Sequence, residues 1–314
     1  MTRRELLAAG IALAPALRAA KPIDRFRISA ITDEIGKTPE DAIAFAREYG
    51  LRWVELRSVP GGRHEYAFLP EHEVKLTAAA LAGHDLKVSF LNSSLLKFAW
   101  PGTEPVHRRS GTPEARAQRL EAEKVRFTRR MDDLRTAIRN AHLLGVDKIR
   151  VFTGTRVAEP RALFPRIAEV IGEMAMVAEK EKISLAIENE CSCNVASSAE
   201  LAALLEAIPS RRVGLNWDPQ NTLGTQEVPF PDGYNILPKK RILNVQIKGK
   251  GIMPASSQKL DWKAIFQALA RDGYEGKIGL ETHIFDGTLI EASHISVKEI
   301  LRIVGELSRG NMPG

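Results

Sequence analysis

Leu185-Ala186-Ile187-Glu188-Asn189-Glu190 is a short apolar run that ends in acid, and Gly214-Leu215-Asn216-Trp217-Asp218-Pro219 repeats the pattern further on. Ile278-Gly279-Leu280-Glu281-Thr282-His283 repeats it again, and Asn244-Val245-Gln246-Ile247-Lys248-Gly249 ends in an amide and a lysine. Short apolar runs of this kind read as strands buried on both faces of a parallel sheet. Their shared polar end implies that these ends meet in one place. Working outward, the candidates are Arg27–Ile31, Trp53–Leu56, Lys87–Leu91, Lys148–Phe152, Ser184–Ile187, Val213–Trp217, Ile242–Ile247 and Lys277–Leu280. Their starts are spaced by 26, 34, 61, 36, 29, 29 and 35 residues. A right-handed strand–helix–strand crossover takes roughly 30 residues or more. Eight such units predict an α/β fold, a (β/α)8 TIM barrel, as a single domain over residues 21–314. An open doubly wound sheet is the alternative, but the glycine-rich phosphate turn it requires is absent after the first strand.

Helical patterns fill the gaps. Thr38-Pro39-Glu40-Asp41 is a helix start, with a cap residue, a proline in the first turn and acids behind it. Pro70 to about His84, Glu121–Leu144, Ala162–Glu181, Ser198–Ile208, Asp261–Arg271 and Ile290–Leu307 supply most of the others. The helix after the sixth strand is weak, because Pro229, Pro231, Gly233 and Pro238 crowd that segment. The 61-residue gap places an insertion, Asn92–Leu120, after the third strand, over the mouth of the barrel.

The 314 residues are 44% hydrophobic and 27% charged, which excludes wholesale disorder. No apolar run approaches the roughly 20 residues of a membrane span. Two cysteines exclude a disulfide scaffold, and Cys191 and Cys193 are read as free thiols in the loop after the fifth strand. A net charge of +6 is mildly basic and says little about nucleic acid unless the charge is clustered. Part of that charge belongs to residues 1–20. There Arg3-Arg4, a short apolar stretch and Ala14-Pro15-Ala16 read as a twin-arginine export signal. That reading places the protein in the periplasm; the alternative, an amphipathic N-terminal helix, leaves it in the cytoplasm.

Strand C-termini build the active site of a barrel. Glu188, Asp218 and Glu281 all fall there. Three acids in one place repel one another unless a cation joins them, and oxygen donors suit Mn²⁺ first, with Mg²⁺ and Co²⁺ as alternatives. Taken singly, each acid is as well explained as a cap or an ion-pair partner.

These stretches also resemble the xylose-isomerase-like barrel superfamily of sugar isomerases and epimerases, which includes metal-dependent abasic-site endonucleases. The likeness is carried by Ala186-Ile187-Glu188-Asn189, Asn216-Trp217-Asp218-Pro219, Val245-Gln246-Ile247-Lys248 and Gly273-Tyr274-Glu275-Gly276 running into Gly279-Leu280-Glu281-Thr282. It implies that Glu188, Asp218, Gln246 and Glu281 ligate one divalent metal. Gln246 stands where the family has histidine, and Gly249 where it often has aspartate. The resemblance further implies that Glu188 and Glu281 exchange a proton with an open-chain sugar through an enediolate. Lys248 matches the family lysine and would steady the developing oxyanion. Asn221 falls where relatives often carry a substrate-binding histidine.

Two further residues are read as substrate contacts. His283 lies two past Glu281, on the same face if the strand continues, and Trp100 lies in the insertion, for sugar stacking or for lid packing. Lys97, Phe98, His107, Arg108 and Arg109 accompany Trp100, and Arg116, Arg119, Lys124, Arg126, Arg129 and Arg130 follow on the next helix. Mixed with aromatics, such residues bind sugar rings or phosphate; interspersed with acids, they form a solvated helix face.

The expected function is thus metal-dependent isomerisation or epimerisation of a free sugar. A keto-sugar lyase or dehydratase on the same scaffold and a non-catalytic carbohydrate-binding barrel are the alternatives. Nuclease chemistry is disfavoured, since its three-metal site is rich in histidine. The expected partner is a small carbohydrate, with no nucleic acid, no membrane span, and self-association left open.

Overall fold

The computed structural model describes residues 21–106 and 111–310. The expected signal, residues 1–20, and His107, Arg108 and Arg109 lie outside the described residues. Eight parallel strands follow one another around the sheet: β1 (Ile28–Ala30), β2 (Trp53–Leu56), β3 (Lys87–Leu91), β4 (Lys148–Val151), β5 (Ser184–Glu188), β6 (Val213–Trp217), β7 (Ile242–Lys248) and β8 (Ile278–Glu281). β1 pairs with β8, and a single parallel bridge from Ile31 to Glu55 joins β1 to β2. The result is a nearly closed (β/α)8 barrel. Strands β5, β7 and β8 run one residue further than the apolar pattern suggested, so Glu188, Lys248 and Glu281 are themselves the last strand residues.

The longer helices are α1 (Pro39–Glu48), α2 (Glu71–Ala82), α3 (Pro113–Thr128), α4 (Arg130–Leu143), α5 (Phe164–Lys180), α6 (Ser198–Glu206), α7 (Trp262–Arg271) and α8 (Leu289–Gly310). Thr38 and Asp41 form a reciprocal capping box at the start of α1, with Pro39 in the first turn. Ser197 and Glu200 do the same for α6. The single long helix expected over 121–144 is instead two, α3 and α4, which meet at Arg129. None of the α3 side chains is buried, whereas Leu134, Ala137, Ile138 and Ala141 of α4 pack into the core. The helix is interrupted only at Arg129 (φ −81°, ψ −1°), and its buried face begins beyond that point, at Leu134. Between β6 and β7 only short helical segments form, at 219–222, 229–233, 234–236 and 239–241, as the prolines require.

The main core lies between sheet and helices. Ile167, Ile171 and Met174 of α5, Ile265, Phe266 and Leu269 of α7, and Val297, Ile300 and Val304 of α8 recur at helical spacing and are buried. Each such side chain stabilises the fold by roughly 1.5–3 kcal/mol. Inside the barrel, by contrast, polar groups alternate with the apolar ones that face the helices. Asn244, Gln246 and Lys248 of β7 are buried there, two residues apart.

Candidate active site

Each carboxylate is placed by the strand that ends in it. Glu188 closes β5, and its Oε2 accepts hydrogen bonds from Asn216 Nδ2 at 2.7 Å and Arg150 Nη1 at 3.0 Å. Asp218 follows β6 and caps the turn at 219–222: Oδ1 accepts from the backbone N–H of Gln220 and Asn221 at 2.9 and 3.0 Å. The cap uses one oxygen only, and Oδ2 faces Lys248 Nζ at 3.2 Å. Glu281 closes β8, where Oε1 accepts from Arg57 Nη1 at 2.9 Å. One ligand atom from each of the three acids falls within 4.8 Å of the others.

Gln246 is oriented from below. Its Nε2 donates to Glu55 Oε2 at 2.7 Å. Glu55, fully buried, also accepts from Ser29 Oγ, Asn92 Nδ2 and Asn244 Nδ2. Burial pushes the Glu55 carboxyl up, and the four hydrogen bonds donated to it pull the other way. A carboxylate can only accept, so Glu55 holds the NH2 end of Gln246 and leaves the amide oxygen to the opposite side.

Whether these residues suit a metal can be read from what remains unpaired. Gln246 Oε1 and Glu281 Oε2 are buried with no hydrogen-bond partner among the described residues, and Asp218 Oδ2 meets only the Lys248 ammonium, at 3.2 Å. Leaving such an oxygen unmade costs about 1–3 kcal/mol. Oxygen atoms of this kind are the donors a hard divalent cation takes. Protein cations compensate the cluster only in part. Arg57 is shared among Asp33, Glu34 and Glu281, Arg150 is paired with Glu188, and Lys248 with Asp218. The donor set therefore fits a divalent cation, which Glu188, Asp218 and Glu281 could hold together, with the Gln246 amide oxygen as a further candidate donor.

The electrostatics separate the acids. Burial, reinforced by Glu281 and Glu188, pushes Asp218 up to about 7 against the pull of Lys248. Glu281 pays the same desolvation, yet Lys248, Arg57 and Arg150 outweigh it and hold the carboxyl at about 2. Burial lowers Lys248, but Asp218, Glu281 and their acidic neighbours raise it further, so the ammonium stays charged.

Among the expected substrate contacts, His283 is half-exposed beside the cluster. Its Nδ1 lies 3.7 Å from Glu281 and 3.9 Å from Glu34. Its backbone N–H donates to Glu34 Oε2 at 2.8 Å, and its φ of 54° shows that the strand does not continue as alternation assumed. Asn221 is committed internally rather than offered to substrate: Oδ1 accepts from Lys248 Nζ at 2.5 Å and Nδ2 donates to the Asn189 carbonyl. Trp100 is only 2% exposed and packs on Phe127 at 5.3 Å, so it presents no open face to a sugar. Cys191 is exposed, Cys193 is buried, and both are free.

Asp33, Glu34, Glu55, Arg57 and Arg150 were missed. Two of them left a signal in the sequence. Glu55 interrupts Trp53-Val54-Glu55-Leu56 and Arg150 interrupts Lys148-Ile149-Arg150-Val151, and a charge inside a buried strand requires a buried partner.

The interior polar groups form a continuous ring. Glu55 bonds to Asn244, Asn244 to Asn216, Asn216 to Glu188, Glu188 to Arg150, and Arg150 to the Ser93 carbonyl. Asn92, next in the chain to Ser93, returns the path to Glu55.

A family model described as xylose isomerase-like TIM barrel matches residues 43–301. The chain belongs to that family. Solved structures with this barrel include a xylose isomerase-like TIM barrel protein from Mycobacterium smegmatis in complex with magnesium, with a TM-score of 0.64 and 15% identity over 90% of this chain and 97% of that one. A D-allulose 3-epimerase from Methylomonas sp. aligns with a TM-score of 0.62 and 16% identity over 92% and 99% of the two chains. The probable 3-DHS dehydratase of Bacillus anthracis aligns with a TM-score of 0.62 and 13% identity over 87% and 98%. At these identities the likeness is one of fold. No curated protein matches the chain significantly.

Proposed function

We propose that the protein is a divalent-metal-dependent sugar isomerase or epimerase that moves a proton through an enediolate on a free ketose or aldose. The observation that carries this reading is the meeting of Glu188, Asp218 and Glu281 within 4.8 Å at the strand ends. Glu188, Asp218, Gln246 and Glu281 would hold the metal, Mn²⁺ in preference, and a bound divalent cation supplies polarisation of a carbonyl oxygen. Arg150 fixes Glu188 and Arg57 fixes Glu281, so each carboxylate is held rigidly for proton transfer to or from carbon. Lys248, steered by Asn221 and Asp218, presents an ammonium to negative charge developing on the substrate. Half-exposed His283, 3.7 Å from Glu281, would contact a substrate hydroxyl.

Dehydration of a keto-sugar is the second reading. It is motivated by the probable 3-DHS dehydratase among the structural neighbours and by Lys248, whose ammonium would stabilise negative charge on the oxygen of a departing hydroxyl. Incubation with Mn²⁺ and a panel of ketoses and aldoses in D2O separates the two. The first reading expects deuterium at a carbon beside the carbonyl, abolished by at least about 100-fold in Glu281→Gln. Loss of water from the product would establish the second, and no exchange into any sugar would sink the first.

We also propose that the chain is exported, on the strength of Arg3-Arg4 and the apolar stretch behind it. Cell fractionation of wild type against Arg3→Lys/Arg4→Lys tests this. Among the described residues no helix is long and apolar enough to cross a membrane.

A further inference from the structure

The arginines that follow the insertion take no part in the carboxylate site, yet they converge. A cavity of about 350 Å³ lies between the loop after β2, the segment after β3 and the joint of α3 with α4. Arg63, Arg126, Arg129 and Arg130 line it, and all of its walls come from the strand C-terminal side, at the rim of the barrel mouth. Arg126, Arg129 and Arg130 stand three and four residues apart, a spacing that puts them on one side of a helical backbone.

These guanidinium groups are poorly neutralised. Among the described residues Arg63 and Arg126 have no ion-pair partner. Arg129 meets Asp133 only at 3.7 Å. Arg130 is held by Glu173 at 2.9 Å, but its Nε is buried with no hydrogen-bond partner. The other acid in the wall, Glu65, is engaged by the backbone N–H of Ser94 at 2.8 Å. Arg126 is also oriented, since its guanidinium lies over the Phe98 ring at 4.5 Å. Four arginines thus face two acids, one of them already hydrogen-bonded, across a cavity with an aromatic wall. Guanidinium groups bind phosphate and carboxylate through paired N–H donors, and roughly 300–1,000 Å³ is the size of a small-molecule site.

We propose that this cavity is an anion-binding site for the phosphate or carboxylate group of a small organic molecule. The group belongs either to the far end of the sugar substrate or to a separate ligand. Calorimetry on the full chain at low salt, with inorganic phosphate and with succinate as probes, tests the site without any turnover, so its failure is distinct from failure of the isomerase reading. Saturable binding is expected, weakened about tenfold or more in Arg63→Met/Arg126→Met. A control that removes two charges elsewhere on α3, Arg116→Met/Lys124→Met, should bind as wild type does. Both positions of the first variant are exposed, and its thermal midpoint reports that it folds.

Rates then distinguish the sources. If the anion is the substrate's own, the Arg63→Met/Arg126→Met variant raises KM for a phosphorylated ketose selectively. If it is a separate ligand, phosphate alters the rate on the free ketose in wild type and not in that variant. Absence of saturable binding of either probe, or equal binding by wild type and Arg63→Met/Arg126→Met, would overturn the proposal.

Discussion

Gln246 shows how a single side chain is specified by the one behind it. An amide has two ends of similar shape, and only the acceptor-only carboxylate of Glu55, 2.7 Å from Nε2, decides which end is free. The same carboxylate should accept the N–H of an imidazole, the arrangement that orients metal-bound histidines elsewhere. Gln246→His is therefore expected to tighten Co²⁺ or Mn²⁺ binding by about tenfold or more, as read by metal titration. An unchanged affinity in the folded variant would mean that Glu55 does not direct this position. Gly279 is part of the same arrangement, because a Cβ there would stand 2.0 Å from Glu55 Oε1. At this scale the sequence was informative where a charge closed an apolar run, as at Glu188, Asp218 and Glu281. It was silent where the decisive fact is a partner far away in the chain. Nothing around Arg57 announces Asp33, Glu34 and Glu281, and nothing near Asn221 shows that Lys248 would occupy it.

Among the elements, strands were more legible than helices. A buried parallel strand has apolar residues on both faces and declares itself by composition, so all eight were found within a residue or two. The α3–α4 interruption was not legible, since no proline or glycine stands between Arg126 and Asp133 to mark it. The last helix offers a test of charge pairing between elements. Glu299 of α8 accepts from Arg302 on its own helix and from Lys259 in the segment leading into α7. Hydrogen bonding by Arg302, helped by Lys259, lowers its carboxyl from 4.5 to about 2. A carboxyl depressed in the folded state stabilises above its unfolded value and loses that contribution as pH falls through the folded one. Glu299→Gln should therefore melt below wild type at pH 7, with the difference shrinking below pH about 4.5 and closing near pH 2. A difference that persists unchanged to pH 2 would exclude the ion pair as its cause.

The whole molecule is held by two different interiors, an apolar one outside the sheet and a polar one within it. The second depends on mutual satisfaction, because a buried ion that loses its partner is more damaging than a missing methyl group. Arg150→Met should cost about 3–5 kcal/mol in denaturant unfolding, since Glu188 would be left buried with its charge less compensated. A loss under about 1 kcal/mol would show that water or a shifted Arg57 replaces it.

The polar ring has a consequence for the order in which the chain can be completed. Glu55, Asn92 and Arg150 leave the ribosome early, while Asn244 and Gln246, which Glu55 requires, are made almost two hundred residues later. A nascent first half would bury charges whose counterparts do not yet exist. It should therefore stay soft and protease-sensitive until β7 emerges, so that assembly waits on the late strands instead of proceeding unit by unit. Pulse proteolysis of ribosome-bound chains truncated before and after residue 248 would register that threshold as a single step.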